Sequence, residues 1–207
     1  MLNLKICGVN NLNFLKEILL IEEIKFLGFI FYDKSPRNVN VKFLDSIKKI
    51  NFGDKRPVCV YVDAQKEFVE NTCSYFDNPI LQFHGNETNL FCKSFSLDFW
   101  KTIHVKNKQS LRNISNYQDA DGILLETYKK DKFGGTGESF DWNLIKNIKN
   151  LDTKIILSGG INIENIHNAY KIKPWCIDIN SGVEKSLGVK DINLVKKIIK
   201  KLNNEII

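Results

Sequence analysis

The sequence has no apolar run approaching the roughly 18 residues that cross a bilayer. Its opening, MLNLKICGVNN, lacks the basic, apolar and small-residue order of a signal peptide. The chain is therefore expected to start at Met1 and to work in the cytoplasm, with no membrane partner. Arginine is scarce: Arg37, Arg56 and Arg112 are the only ones, and the other basic residues are lysines spread among asparagine and isoleucine. The formal charge of +6 thus forms no arginine-bearing stripe to fork onto phosphates or guanines, which argues against a nucleic-acid partner. KKIIKK near the C-terminus reads instead as the solvated face of a last helix. Cys7, Cys59, Cys73, Cys92 and Cys176 include no C-x-x-C pair and no histidine at metal-ligand spacing, and an odd number cannot all pair. They read as reduced thiols, mostly in the core, and no metal is expected.

With 207 residues, 43% of them hydrophobic, the chain can bury one substantial core. One α/β domain over residues 1–207 is the expectation, with two small domains as the alternative. Short apolar, β-branched or aromatic runs alternate with segments of helical period, the signature of a parallel sheet with crossover helices. The strands expected are Leu4–Cys7, Phe26–Phe31, Val58–Val62, Ile80–His84, Lys101–Val105, Gly122–Glu126, Lys154–Leu157 and Cys176–Ile179. Helices are expected at Asn13–Ile24, Val41–Ile50, Asp141–Lys149, Ile163–Lys171 and Ile192–Leu202, among others. Eight such units predict a closed (β/α)₈ TIM barrel, since closure removes the sheet edges; a doubly wound open sheet is the alternative.

Glycine placement distinguishes the two ends. Gly8, Gly85, Gly134, Gly135, Gly137, Gly159, Gly160 and Gly182 follow strands, whereas Pro57, Pro79 and Pro174 come just before them. In a barrel the loops after strands build the active site, and glycine lets backbone N–H groups approach a ligand. The loops FGGTGES, LSGG and NSGVEKSLG lie where barrels hold phosphate. Cys7, His84, Glu126 and Asn180 end strands on the same face.

Taken in order, Lys5-Ile6-Cys7-Gly8, Gly28-Phe29-Ile30-Phe31, Ser35-Pro36-Arg37, Gln82-Phe83-His84-Gly85, Gly134-Gly135-Thr136-Gly137, Phe140-Asp141-Trp142, Ser158-Gly159-Gly160 and Asp178 with Ser181-Gly182-Val183-Glu184 resemble the phosphoribosylanthranilate isomerases of tryptophan biosynthesis. The resemblance covers nearly the whole chain. It implies an Amadori rearrangement of N-(5-phosphoribosyl)anthranilate, a small phosphorylated substrate, to the 1-deoxyribulose phosphate, with no cofactor. It also implies a monomer or weak homodimer, and leaves open association with indole-glycerol phosphate synthase, to which this activity is sometimes fused.

The chemistry needs an acid to protonate the furanose oxygen and a base to take the C2 proton of the opened iminium. The resemblance makes Cys7 the base. Strand alternation puts Lys5 on the same face roughly 7 Å away, where it favours the thiolate, pairs with an acid such as Asp178, or does both. The family's acid is an aspartate at the end of the sixth strand, and here that strand ends in Glu126. Arg37 is implied to read the anthranilate carboxylate, a fork-to-carboxylate match lysine would not make. His84 is expected to line the pocket, with Gly135, Gly160, Asp178, Ser181 and Gly182 also binding substrate. His104 and His167 receive no role, and Asp141 is expected to cap the helix starting at Trp142. A related histidine-pathway isomerase has aspartate where this chain has Cys7. A barrel that binds phosphoribosyl ligands without turnover is the non-enzymatic alternative.

Overall fold

The computed structural model describes residues 2–128, 141–148 and 153–206. Among the described residues eight parallel strands close into a barrel in sequence order: β1 (Asn3–Cys7), β2 (Ile24–Phe31), β3 (Arg56–Tyr61), β4 (Ile80–Phe83), β5 (Phe99–Val105), β6 (Gly122–Thr127), β7 (Lys154–Leu157) and β8 (Cys176–Ile179). Closure is made by β1, which pairs with β2 on one side and, through Lys5 opposite Asp178, with β8 on the other. The open-sheet alternative is thereby excluded. Crossovers carry α1 (Leu12–Ile18), α2 (Val41–Ile47), α3 (Lys66–Cys73), α4 (Asn89–Lys93), α5 (Ile166–Lys171) and the last helix, α6 (Ile192–Ile206). None of the described helices is long and apolar enough to cross a membrane.

Local chemistry sets where these helices begin. The side chains of Asn11, Asn40 and Thr88 accept hydrogen bonds from the backbone N–H of Phe14, Phe43 and Phe91, satisfying donors that a helix start leaves orphaned. The helix expected over Asn13–Ile24 ends at Ile18, because Ile24 already opens β2. Two other segments are 3₁₀ rather than α: Lys108–Asn116, capped by Asn107, and Trp142–Ile148. Asp141 does cap the latter, accepting from Asn143 N at 3.0 Å, while Lys149 lies outside the described residues. Pro57 is the second residue of β3 rather than a residue before it.

The period-2 alternation of the strands sorts side chains into two cores. Outward residues such as Ile6, Leu27, Phe29, Leu81, Leu125 and Ile177 pack under the helices, joined by Ile198 and Leu202 of α6. The lysines of KKIIKK stay at least partly in solvent while its isoleucines are buried. Inward residues Phe26, Val58, Ile80, Trp100, Leu124, Ile156 and Cys176 fill the barrel. Its floor is aromatic, with Phe26 and Trp175 set against Trp100 at ring separations of 5.0 and 6.0 Å. Above that plug the inward positions turn polar, at Lys5, Gln82, Thr102, Ser158 and Asp178, and this change of layer creates the site. All five cysteines are buried and unpaired.

Candidate active site

Gly28 makes room for the thiol of Cys7. The β1–β2 register sets the two opposite each other, and a Cβ on Gly28 would stand 2.7 Å from the Cys7 Sγ. Beneath the thiol lies the fully buried Lys5, whose Nζ donates to Asp178 Oδ1 at 3.0 Å while Ser158 Oγ donates to Asp178 Oδ2 at 3.2 Å. Both readings of Lys5 hold, since it pairs with Asp178 and its charge also pulls the Cys7 pKa down. Burial has the larger effect on Cys7, and with help from Asp178 it pushes the thiol above its ordinary value despite Lys5 and Lys190. Burial lowers Lys5 in turn, but Asp178 and Cys7 outweigh it and leave the lysine's pKa raised, so the ammonium persists.

Across the barrel mouth, His84 Nε2 lies 2.8 Å from Glu126 Oε2. The other ring edge of His84 faces Thr102 Oγ1 at 3.0 Å and the Gln82 amide nitrogen at 3.2 Å. With that amide donating, Nδ1 accepts and the ring proton sits on Nε2, aimed at Glu126. Gln82 Oε1 has no partner among the described residues. Burial would raise the Glu126 pKa, but the charge and hydrogen bond of His84, with a smaller contribution from His104, hold it below the usual carboxylate range.

Gly159 turns with φ +89°, and a Cβ there would approach Thr127 N to 2.8 Å and Glu126 Cγ to 3.3 Å, so only a glycine leaves room beside the base of the Glu126 side chain. Residues 129–133 after β6 lie outside the described residues, as do Gly134, Gly135, Thr136, Gly137 and Phe140.

Cys7, Arg37, His84, Glu126 and Asp178 all line one pocket, together with Tyr32, Ser158 and Asn180. Arg37 is buried, and Glu184 takes its Nε and Nη2 at 2.6 and 2.8 Å. Gly160 and Gly182 stand beside this pocket in the turns after β7 and β8. Gly160 has φ +67°, and a Cβ on Gly182 would strike the Ile161 carbonyl oxygen, so the two turns pack backbone to backbone. Ser181 opens the short 3₁₀ turn Ser181–Val183.

Several contributors received no role from the sequence, although Gln82 and Glu184 stand in its quoted motifs. Gln82 and Thr102, which orient His84, each lie two residues before a strand-end histidine, a period-2 signal that placed them on the inward face. Glu184 and Lys190 gave no such signal. His84, His104 and Glu126 bring donor atoms within 4.8 Å of one another. That spread is wide for one ion, and their donors already serve each other, His104 Nε2 bonding the His84 carbonyl at 3.1 Å. Burial, then His84, lowers the His104 pKa, so this neighbour is neutral at physiological pH.

A family profile described as N-(5'phosphoribosyl)anthranilate (PRA) isomerase matches residues 4–201. The N-(5'-phosphoribosyl)anthranilate isomerase of Caldanaerobacter subterraneus subsp. tengcongensis is 34% identical over 207 residues, covering 98% of both chains. The fold superposes on phosphoribosyl anthranilate isomerase from Thermotoga maritima with a TM-score of 0.87 at 31% identity, covering 99% of this chain and 100% of that one. A structure of monomers of the dimeric T. maritima isomerase gives 0.85 at 29%, over the same shares. A third structure, of a phosphoribosyl anthranilate isomerase in complex with reduced 1-(o-carboxyphenylamino)-1-deoxyribulose 5-phosphate, gives 0.84 at 30%, again over 99% and 100%.

Proposed function

The chain belongs to the N-(5'-phosphoribosyl)anthranilate isomerase family of tryptophan biosynthesis, and on that premise we propose that Cys7 is its base and Glu126, oriented by His84, its acid. The reaction converts N-(5-phosphoribosyl)anthranilate to 1-(2-carboxyphenylamino)-1-deoxyribulose 5-phosphate. Glu126 hands a proton to the furanose oxygen and the C1–O bond breaks, leaving an iminium at C1. The Cys7 thiolate then takes the C2 proton, and the resulting enolamine tautomerises to the aminoketose. The 2.8 Å contact between His84 Nε2 and Glu126 Oε2 carries this reading. His84 Nε2, aimed at Oε2, fixes the direction in which Glu126 presents its carboxyl to the ring oxygen. Lys5 stabilises the thiolate each time it forms.

Arg37 receives the anthranilate carboxylate. Backbone N–H groups of Gly160, Ser181 and Gly182 cradle the phosphate together with Gly135, and Asp178 faces the substrate from β8 while it anchors Lys5. The enzyme is proposed to work as one domain in the cytoplasm, as a monomer or weak homodimer, with association with indole-glycerol phosphate synthase a further arrangement open to it. A steady-state assay with freshly generated phosphoribosylanthranilate, followed by loss of anthranilate fluorescence, tests the activity. Turnover is expected, and a folded protein that binds the substrate without turnover would leave only the non-catalytic barrel.

A further inference from the structure

Arg37 and Glu184 lie 147 residues apart and meet side-on, Nε to Oε1 at 2.6 Å and Nη2 to Oε2 at 2.8 Å. Glu184 is itself fixed from behind. Lys190 Nζ donates to its Oε1 at 2.8 Å and Gly188 N to its Oε2 at 3.1 Å, and Lys190 also bonds Asn180 through the carbonyl at 2.9 Å and Oδ1 at 2.7 Å. Gly8 closes the other side: at φ +77°, a Cβ there would come 2.9 Å from Arg37 Cδ. The guanidinium is thus held on its stem and along one edge.

Two consequences follow from the chemistry of arginine. Of its five N–H donors two are spent on Glu184, and those left, both on Nη1 and one on Nη2, include the end-on fork that suits a second carboxylate. The cluster also holds two cations, Arg37 and Lys190, against one anion, Glu184, all buried. Among the described residues of this cluster one positive charge is in excess beside the pocket, a costly state that an incoming anion relieves.

We propose that Glu184, backed by Lys190, is a positioning residue that turns the end-on edge of Arg37 toward the pocket and so makes the enzyme select for the ring carboxylate of its substrate. The inference rests on Arg37 as the carboxylate ligand. The shared partner Asn180, directly before the Ser181–Val183 turn, ties this clamp to the phosphate end, so the two anionic ends of the substrate meet one connected network.

The test compares kcat/KM for N-(5-phosphoribosyl)anthranilate with that for N-(5-phosphoribosyl)aniline, which lacks the carboxylate, in the unmutated protein, R37M, E184Q and E184D. The unmutated enzyme should favour the carboxylated substrate and R37M should lose that preference. E184Q, isosteric but no longer a charged fork, should lose on the order of ten- to a hundredfold of it, mostly through KM. If E184Q fails to fold, E184D serves: the shorter carboxylate draws the guanidinium back, and the preference should fall severalfold. A preference in E184Q that is kept, or that grows because a negative charge has gone, with R37M losing it, overturns the role of Glu184 alone. A preference retained in R37M overturns the arginine reading, and the inference with it.

Discussion

His84, directly after β4, and Glu126, on β6, are joined Nε2 to Oε2 at 2.8 Å, and this contact reverses the effect of burial on the carboxyl. Glu126 therefore acts as half of a pair.

Shortening Glu126 breaks the pair. Because Gly159 already packs against the Glu126 side chain, E126D cannot recover the lost reach by a retreat of the backbone toward the pocket. The carboxyl withdraws by about an ångström or more from both His84 and the ring oxygen, and kcat/KM should fall on the order of a hundredfold. A rise in kcat/KM would mean that the site keeps the geometry of an aspartate enzyme.

Removing His84 takes away the largest opposition to burial and leaves only the smaller effects of His104 and Lys5. In H84Q the Glu126 pKa should rise above its ordinary value of 4.5, whereas in the unmutated chain it lies below it. Titration of the ¹³C-labelled carboxyl by NMR reads both midpoints, and an unmoved midpoint would detach His84 from the acid.

Cys7 should titrate late. Its alkylation by iodoacetamide is expected to reach half its limiting rate above the ordinary thiol value of about 8.5. K5M removes a cation that favours the thiolate, so the midpoint should move further up. The same change strands Asp178 as a buried, unpaired carboxylate and should cost about 3–5 kcal/mol of stability, measured by denaturant unfolding. A midpoint that falls in K5M would contradict the placement of Lys5.

Gly160 holds φ +67° beside the proposed phosphate cradle. G160V should lose about 1–2 kcal/mol to the strained backbone and raise KM tenfold or more, with kcat less affected. An unchanged KM in the folded variant would move the phosphate elsewhere.

The strands were the most legible part of the chain. β7 and β8 begin and end where apolar runs meet polar neighbours, and the inward placement of Cys7, His84 and Glu126 follows from alternation alone. Helix ends were less legible, because Leu19–Ile24 keeps the apolar character of α1 while the chain is already turning into β2. The His84–Glu126 contact needs the strand order, which periodicity does not supply. The grip of Glu184 on Arg37 needs the β9 (Glu184–Ser186) and β10 (Val189–Lys190) hairpin to fold back over the β2 loop. No local pattern in the sequence encodes that approach.

Catalysis by Cys7 and Glu126 is tested most directly by comparing turnover in C7S and E126Q with that of the unmutated protein, alongside the Kd of each for reduced 1-(o-carboxyphenylamino)-1-deoxyribulose 5-phosphate. Both variants keep the shape of the residue they replace. Each should bind the analogue nearly as tightly as the unmutated chain while kcat falls by on the order of a hundredfold or more. Wild-type-like turnover in either folded variant would contradict the acid–base assignment.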